Sequence, residues 1–272
     1  MKYIIAGCAR DCENYIELVF ENIKKICAII DVQQIIVAYD ESDDKTLSEL
    51  MKQKKELKTK LKILINKEPL TPYRTQNICN ARNKLLKEIY DFEPTIDKFI
   101  MMDFDDVCSK PINIDVLKEG LLLDKDCVTF NNKNYYDFWA LSIDNYQFSA
   151  WHFDQPNRYL KLLRLYLLKK FYETKENFVE CESAFNGFGI YKLKSFKDCK
   201  YQSIMDYNYY CKDKINYITT TFNIKIVSVD PYDCEHRLFH LKAKKQNNAR
   251  IVIYKKNLFP EYVGPHTNFI NM

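Results

Sequence analysis

Short apolar segments alternate with helical repeats over residues 1–107. The apolar segments are bounded by polar residues, as buried strands are, at 2–6, 34–39, 61–65 and 99–102. Between them, apolar residues recur at spacings of three and four, which predicts helices at 16–27, from Thr46 to about Lys55, and after an N-cap at Thr75. Strands that alternate with helices in this way are typical of an α/β layer with a parallel sheet.

The pattern after residue 107 is less regular. We expect strands at 127–130, up to Tyr191, at 224–229 and at 250–254, and helices over 158–175 and about 201–214. No internal repeat, low-complexity segment or linker divides the chain, so the sequence predicts a single domain over 1–272.

Composition narrows the class of protein. With 272 residues, 47% of them apolar, the chain can bury a sizeable core. The formal net charge of +4 is small for this length and predicts no dedicated nucleic-acid surface, whereas a mild basic excess suits a small polyanion such as a nucleoside diphosphate. The chain has only five glycines, and none forms a P-loop or a G-x-G-x-x-G turn. A nucleotide would therefore be bound by residues that do not form a glycine-rich loop.

The ten cysteines are scattered along the chain. No two of them form a Cys-x-x-Cys pair, so no zinc site is indicated, and there is no Asn-x-Ser/Thr sequon. Scattered thiols are typical of proteins in a reducing compartment. The N-terminus has the pattern of a strand and not of a signal peptide, and no apolar run is long enough to cross a membrane. We expect a cytoplasmic protein without a transmembrane segment.

An acidic cluster directly follows the apolar segment at 99–102. Asp103, Asp105 and Asp106 repel one another, and burying such charges without a positive partner is costly. Their hard oxygens suit Mg²⁺ or Mn²⁺. On an extended segment, Asp103 and Asp105 would leave the same face and approach one ion, while Asp106 would point elsewhere. The alternative reading is a strand followed by an acidic turn.

Polar residues also follow the first two predicted strands, at Arg10-Asp11 and at Asp40 to Asp44. Because the carboxyl ends of parallel strands meet at one edge, and ligands of open α/β sheets bind outside that edge, we expect these groups to share a site with Asp103.

The first strand and three motifs that follow it in order carry a resemblance to a known family. The motifs are Asp40-Glu-Ser-x-Asp-x-Thr46, Arg74-Thr-x-x-Ile-x-x-Ala-Arg-Asn83 and Asp103-x-Asp-Asp106. Together they resemble the nucleotide-sugar glycosyltransferases of the GT-A fold, most nearly the capsule-associated mannosyltransferase-like group and related enzymes of large DNA viruses. The resemblance covers residues 3–107 well and extends through Ser183–Tyr191 and Cys234-Glu-His236 to about residue 240.

The resemblance implies a Rossmann-like α/β/α sandwich with a central, mostly parallel sheet. Residues 1–107 would be its nucleotide-binding half and residues 108–272 its acceptor-side half. It implies metal-dependent transfer of one sugar from a nucleotide-sugar donor, UDP-sugars being favoured, to a glycan or protein acceptor. If the protein is viral, we expect it in the host cytoplasm. A homodimer is a possible oligomeric state.

The resemblance also implies roles for particular residues. Mn²⁺ or Mg²⁺ would be bound by Asp103, Asp105 and His236. The donor would contact the backbone at Ala6 and Gly7, and the side chains or backbone of Arg10, Asp40, Asp44, Arg74, Arg82, Asn83, Asp103, Asn186 and Gly187.

An inverting reaction would need a carboxylate base, whereas a retaining one would not, and both remain open. Glu182 is the first choice for that base, followed by Asp154 and Glu180. Trp151 and His152 would form a platform on which the acceptor sugar stacks.

Three other functions are compatible with the acidic cluster. In a haloacid-dehalogenase-type phosphatase, Asp103 would be the nucleophile and Asp105 the general acid. A nucleotidyltransferase could use the same pair for two-metal chemistry. An inactive sugar-binding protein of the same fold would retain the site without turnover.

Overall fold

The computed structural model describes residues 1–227 and 231–262, and its strands form one eight-stranded sheet in the order β3-β2-β1-β4-β7-β5-β8-β6. The strands are β1 (Lys2–Ala9), β2 (Asp31–Tyr39), β3 (Leu61–Ile65), β4 (Lys98–Met102), β5 (Cys127–Asn131), β6 (Phe178–Cys181), β7 (Phe188–Lys192) and β8 (Ile251–Asn257). The helices are α1 (Ile16–Cys27), α2 (Thr46–Leu57), α3 (Arg74–Tyr90), α4 (Ile114–Leu121), α5 (Pro156–Glu173), α6 (Lys212–Phe222) and α7 (Glu235–Asn247).

The sheet is mixed but mostly parallel. Strands β3, β2, β1 and β4 are parallel neighbours, and β7 lies antiparallel between β4 and β5. Strand β8 runs parallel to β5, and β6 closes the far edge antiparallel to β8. The predicted α/β class with a central, mostly parallel sheet is confirmed. The β4–β7 pairing carries the sheet across the predicted boundary between the two halves of the domain.

Helices cover both faces of the sheet. Alternate residues of β1 point to opposite sides, so Ile4 belongs to the core cluster that includes Leu85 of α3 and Phe239 of α7. Ile5 belongs to the cluster on the other face, with residues of α1, α2 and α4. Burial on both faces explains why the central strands are continuous apolar runs. Among the described residues, no helix combines the length and the apolar character needed to cross a membrane.

Strand β1 extends further than its sequence predicts. It continues through Gly7 to Ala9, so Ala6 and Gly7 are paired within the strand and do not lie at its carboxyl end. A Cβ atom on Gly7 would lie 2.3 Å from the Met102 carbonyl oxygen, so the close approach of that backbone is what requires glycine here.

Two other predicted elements are wrong. The helix expected at 201–214 instead begins at Lys212, after an irregular segment. Of the strand expected at 224–229, residues 224–227 contribute only an isolated bridge between Ile226 and Phe153, and residues 228–230 lie outside the described residues.

Helix α7 was missed by the sequence analysis. Its first seven residues, Glu235 to Leu241, are all buried, so it lacks the one-sided apolar stripe by which a surface helix is identified. His236, predicted to follow a strand, is the second residue of this helix.

Candidate functional site

The predicted gathering of strand ends is confirmed by the sheet order. Strands β2, β1 and β4 are neighbours and parallel, so Asp40, Arg10 and Asp103 follow them at the same edge. The Asp40 N–H donates to the Ala9 carbonyl at 3.2 Å, and the Asp103 N–H donates to the Gly187 carbonyl at 2.9 Å. The turn before β7 therefore borders the same site.

Arg82 of α3 lies at the centre of this site. Its Nη2 donates to Asp103 Oδ1 at 2.8 Å, and its Nη1 contacts the Glu235 carboxylate and His236 Nε2. The guanidinium lies over the Phe185 ring, 4.7 Å from its centroid. Arg82 is only 5% exposed, so it forms a buried ion-pair network and is not an exposed helix residue.

The carboxylates of the site outnumber the nearby positive charges. Burial raises the pKa of Asp105 well above its usual range, and the charges of Asp103 and Asp106 raise it further. Burial also raises the pKa of Asp103, to about 6, although Arg82 opposes the shift. Glu235 follows the same pattern, with a pKa raised by burial against the effect of Arg82. The cluster therefore has the electrostatics of a cation-binding site.

The geometry of Asp103 and Asp105 differs from the prediction. The strand ends at Met102 and the chain turns, with Asp105 Oδ1 accepting from the Val107 N–H at 3.1 Å and the Asp105 carbonyl accepting from the Ser109 N–H. The two carboxylates come close through this turn and not because they share one face of a strand.

The predicted set of three metal ligands is not brought together. Within residues 1–227 and 231–262, no three His, Cys, Asp or Glu side chains are grouped so that they could hold a metal ion. His236 Nε2 faces Arg82, and its ring stacks on Phe185 with 3.8 Å between the centroids. Burial and the Arg82 charge lower the His236 pKa well below its usual range. Asp103 and Asp105 offer the hard oxygen donors that Mg²⁺ or Mn²⁺ prefer. The lowered pKa keeps His236 neutral, the form that binds metals, but its Nε2 is directed at Arg82 and not at these carboxylates.

Two carboxylates of the site were missed by the sequence analysis. Asp137 is half-buried and accepts from the N–H groups of Ala140 at 3.1 Å and Asn186 at 3.2 Å, and burial raises its pKa. It lies in an irregular segment, where no periodicity marks it. Glu235 was missed together with α7, although an acidic residue in the first turn of a helix is a usable signal.

The Asn186-Gly187 turn positions Asp137. Asn186 Oδ1 accepts from the N–H groups of Tyr136 and Asp137 at 3.3 Å, and its Nδ2 donates to the Phe130 carbonyl at 2.9 Å. Gly187 has a φ of 86°, and a Cβ there would lie 2.8 Å from the Tyr136 hydroxyl. The Asn186 amide thus holds the loop that carries Asp137, and its contact with a donor sugar remains a prediction.

Two more predicted donor-binding residues have structural partners. Asp44 accepts from the N–H groups of Glu13 at 2.9 Å and Thr46 at 2.8 Å, so it fixes the turn before α2. Asn83 exchanges hydrogen bonds with the Tyr201 backbone at 2.9 and 3.0 Å. Both side chains therefore have structural roles, and their contacts with a donor remain predictions.

Arg74, Arg10 and Asp40 remain available at the edge of the site. Arg74 is exposed at the first position of α3, and its charge acts on Asp103, Asp105 and Glu235. Arg10 forms an exposed ion pair with Asp11 at 3.2 Å. Burial raises the pKa of Asp40, while its hydrogen bond with Asn66 and the charges of Lys84 and Arg10 oppose the shift.

The predicted bases have partners of their own. Glu182 Oε1 accepts from Lys214 at 2.8 Å, and its buried Oε2 has no hydrogen-bond partner among the described residues. Asp154 is exposed and accepts from the Lys225 N–H at 2.9 Å, and Glu180 pairs with Arg250 at 2.5 Å on edge strand β6. The contacts described for these three carboxylates do not join them to the Arg82 cluster.

The predicted stacking platform is wrong as a pair. Trp151 is 61% exposed, but His152 is only 2% exposed and lies 3.9 Å from Asp233. The two neighbours therefore point in different directions, and only Trp151 presents a surface to a ligand.

Comparison with known proteins gives limited similarity. No protein-family model and no curated protein matches this chain. Among solved structures, S. aureus TarS 1–349 in complex with UDP-GlcNAc aligns with a TM-score of 0.47 and 15% identity over 98% of this chain and 61% of that chain. Glucosyl-3-phosphoglycerate synthase from Mycobacterium tuberculosis, in complex with Mn²⁺, UDP and glucosyl-3-phosphoglycerate, aligns with a TM-score of 0.45 and 14% identity over 98% and 74%. Similarities this low identify no family for the chain.

Proposed function

We propose that the protein is a glycosyltransferase of the GT-A type that transfers one sugar from a nucleotide-sugar donor to a glycan or protein acceptor. The observation that carries the proposal is the partly buried carboxylate cluster at the end of β4, with Arg82 inside it and Arg74 at its rim. Anionic ligands suit the N-terminus of α3, where Arg74 lies, and a cation bound by the carboxylates would offset a diphosphate. UDP-sugars are the favoured donors on the basis of the family resemblance.

In the proposed reaction, different side chains of the site bind the diphosphate, the ribose and the metal ion. Arg74 would bind the donor diphosphate, and Asp40 would accept a hydrogen bond from a ribose hydroxyl. Mn²⁺ or Mg²⁺ would be held by Asp103 and Asp105 and would neutralise the charge of the leaving diphosphate. Arg82 would orient Asp103 through its hydrogen bond at 2.8 Å.

If the reaction inverts the anomeric centre, Asp137 is the base that we propose. It belongs to the charge cluster and is half-buried, so an acceptor hydroxyl can reach it, whereas Glu235 is 4% exposed and bound by Arg82. A carboxylate with a raised pKa is a more effective base near neutral pH than an ordinary one.

The alternatives have less support. In a haloacid-dehalogenase-type phosphatase the motif with the nucleophile normally opens the domain, whereas here strands β1 to β3 precede the strand that leads to Asp103. A nucleotidyltransferase usually has a glycine-rich and basic loop near its N-terminus, whereas the segment from Gly7 to Arg10 has one glycine and one basic residue. We also propose a cytoplasmic setting, because all ten cysteines are free thiols. A homodimer remains only a prediction.

Nucleotide release from UDP-, GDP- and CMP-sugars, with Mn²⁺ and then with EDTA, tests the function. We expect slow, Mn²⁺-dependent hydrolysis of one donor, and its loss in Asp105→Asn. His236→Gln should keep the Mn²⁺ titration midpoint, and Asp115→Asn, a change at a carboxylate that is 88% exposed, is the matched control. Donor binding without release would support the inactive sugar-binding alternative. The absence of both binding and release would exclude the transferase.

A further inference from the structure

Helix α5 presents large apolar side chains to solvent. Leu165 is 55% exposed, Leu168 54% and Tyr172 92%. Their spacings of three and four place all three on one face of the helix, opposite Leu163 and Leu167, which are buried in the core. Single exposed apolar residues are ordinary on protein surfaces, but three in a row along one helix face are not.

Positive charges accompany this apolar row. Between Pro156 and Glu173 the helix has five Lys or Arg residues and one carboxylate, so its net charge equals the formal +4 of the whole chain. Lys170 is paired with Asp144 at 2.8 Å, and Lys169 lies 3.7 Å from Glu173. The other cations of the helix are Arg158, Lys161 and Arg164. The remainder of the chain is therefore close to neutral, and the basic excess belongs to this helix.

We propose that the outward face of α5 docks on a membrane surface that contains anionic phospholipid. Leu165, Leu168 and Tyr172 would enter the headgroup region, while the flanking Lys and Arg side chains would extend along it to bind phosphates. The charge of the helix favours this occupant over a second copy of the chain, because two such faces would repel each other. The face shares no residue with the Arg82 cluster, so this inference does not depend on the proposed function.

Co-sedimentation of the full chain with vesicles tests the docking surface. We expect binding to phosphatidylcholine vesicles that contain about 30% phosphatidylserine, little binding to pure phosphatidylcholine, and weakening by salt. Arg158→Gln, Lys161→Gln, Arg164→Gln and Lys169→Gln combined should weaken binding about 100-fold or more, since each cation near an anionic surface contributes roughly 5-fold. Leu165→Gln, Leu168→Gln and Tyr172→Ser combined should weaken it even at low salt.

Helix α2 provides the matched control. Met51 is 45% exposed and is accompanied by exposed Lys52 and Lys55, so Met51→Gln, Lys52→Gln and Lys55→Gln combined should leave vesicle binding unchanged. Circular dichroism and thermal melts establish that each variant is folded. Equal binding to both vesicle types, or wild-type binding by the α5 variants, would overturn the proposal. So would a concentration-dependent dimer in light scattering that only the α5 variants abolish.

Discussion

Arg82 Nη2 and Asp103 Oδ1 are joined by a 2.8 Å ion pair in which the two side chains are 6% and 24% exposed. The same guanidinium pairs with Glu235, whose side chain is 5% exposed. One buried cation thus compensates a buried and a partly buried carboxylate, which come from different parts of the chain. Loss of one partner of a buried ion pair leaves an uncompensated charge inside the protein, and this lowers the free energy of unfolding far more than the same loss at the surface.

Replacement of Arg82 should therefore be strongly destabilising. We expect Arg82→Met to lower the free energy of unfolding by about 3–5 kcal/mol, because Glu235, which is buried, and Asp103, which is partly buried, would lose their positive partner. Urea unfolding in EDTA measures this loss. Adding Asp103→Asn and Glu235→Gln to Arg82→Met should recover part of it.

Lys24 offers the control for that experiment. It pairs with Glu56 at 2.7 Å, but the side chains are 44% and 55% exposed. Lys24→Met should therefore cost less than about 1 kcal/mol. Equal losses for Arg82→Met and Lys24→Met would contradict the buried network.

A second buried ion pair predicts a pH dependence of stability. Asp233 Oδ2 lies 2.8 Å from Arg237 Nε, and both side chains are essentially inaccessible. Burial is the largest single influence and would raise the Asp233 pKa, but the Arg237 charge together with the contacts of His152 and Ser149 outweighs it, so the pKa is lowered. In the unfolded chain the carboxylate binds protons at higher pH than in the native state, so the stabilisation is present above the unfolded pKa of about 4 and is lost as the pH falls through the folded value.

Comparison of the wild type with Asp233→Asn measures this contribution. The variant should be less stable at pH 7 by about 3–5 kcal/mol, and the difference should shrink as the pH falls below about 4. Chemical denaturation at each pH gives the two curves. A difference that stays constant down to acid pH would show that the packing of residue 233, and not its charge, matters.

The sequence predicts the first half of the fold well because each element there carries its own signal. Helix α1 has a one-sided apolar stripe that ends at Cys27, and β4 is an apolar run that ends before Asp103, as expected. Such patterns are local, so they can be identified in the sequence without knowledge of the tertiary structure.

The missed parts of the site depend on contacts that are distant in sequence. Helix α7 is buried on several sides, which removes the periodicity that would indicate a helix, and Glu235 and the helical position of His236 were lost with it. Asp137 is held by the Asn186 backbone, and His152 is buried against Asp233. No spacing within the sequence reveals these pairings.

The role of Asp137 gives the last prediction. If it is the base of an inverting transfer, Asp137→Asn should lower kcat by a factor of about 100 to 10,000 and leave the KM for the donor nearly unchanged, because proton abstraction contributes only in the transition state. Steady-state kinetics with the donor identified by nucleotide release measure both constants. Glu182→Gln is the matched control, since Glu182 pairs with Lys214 and should leave kcat near the wild-type value. If Asp137→Asn raises KM and leaves kcat unchanged, Asp137 is a binding residue and not the base. If kcat falls only in Glu182→Gln, Glu182 is the base.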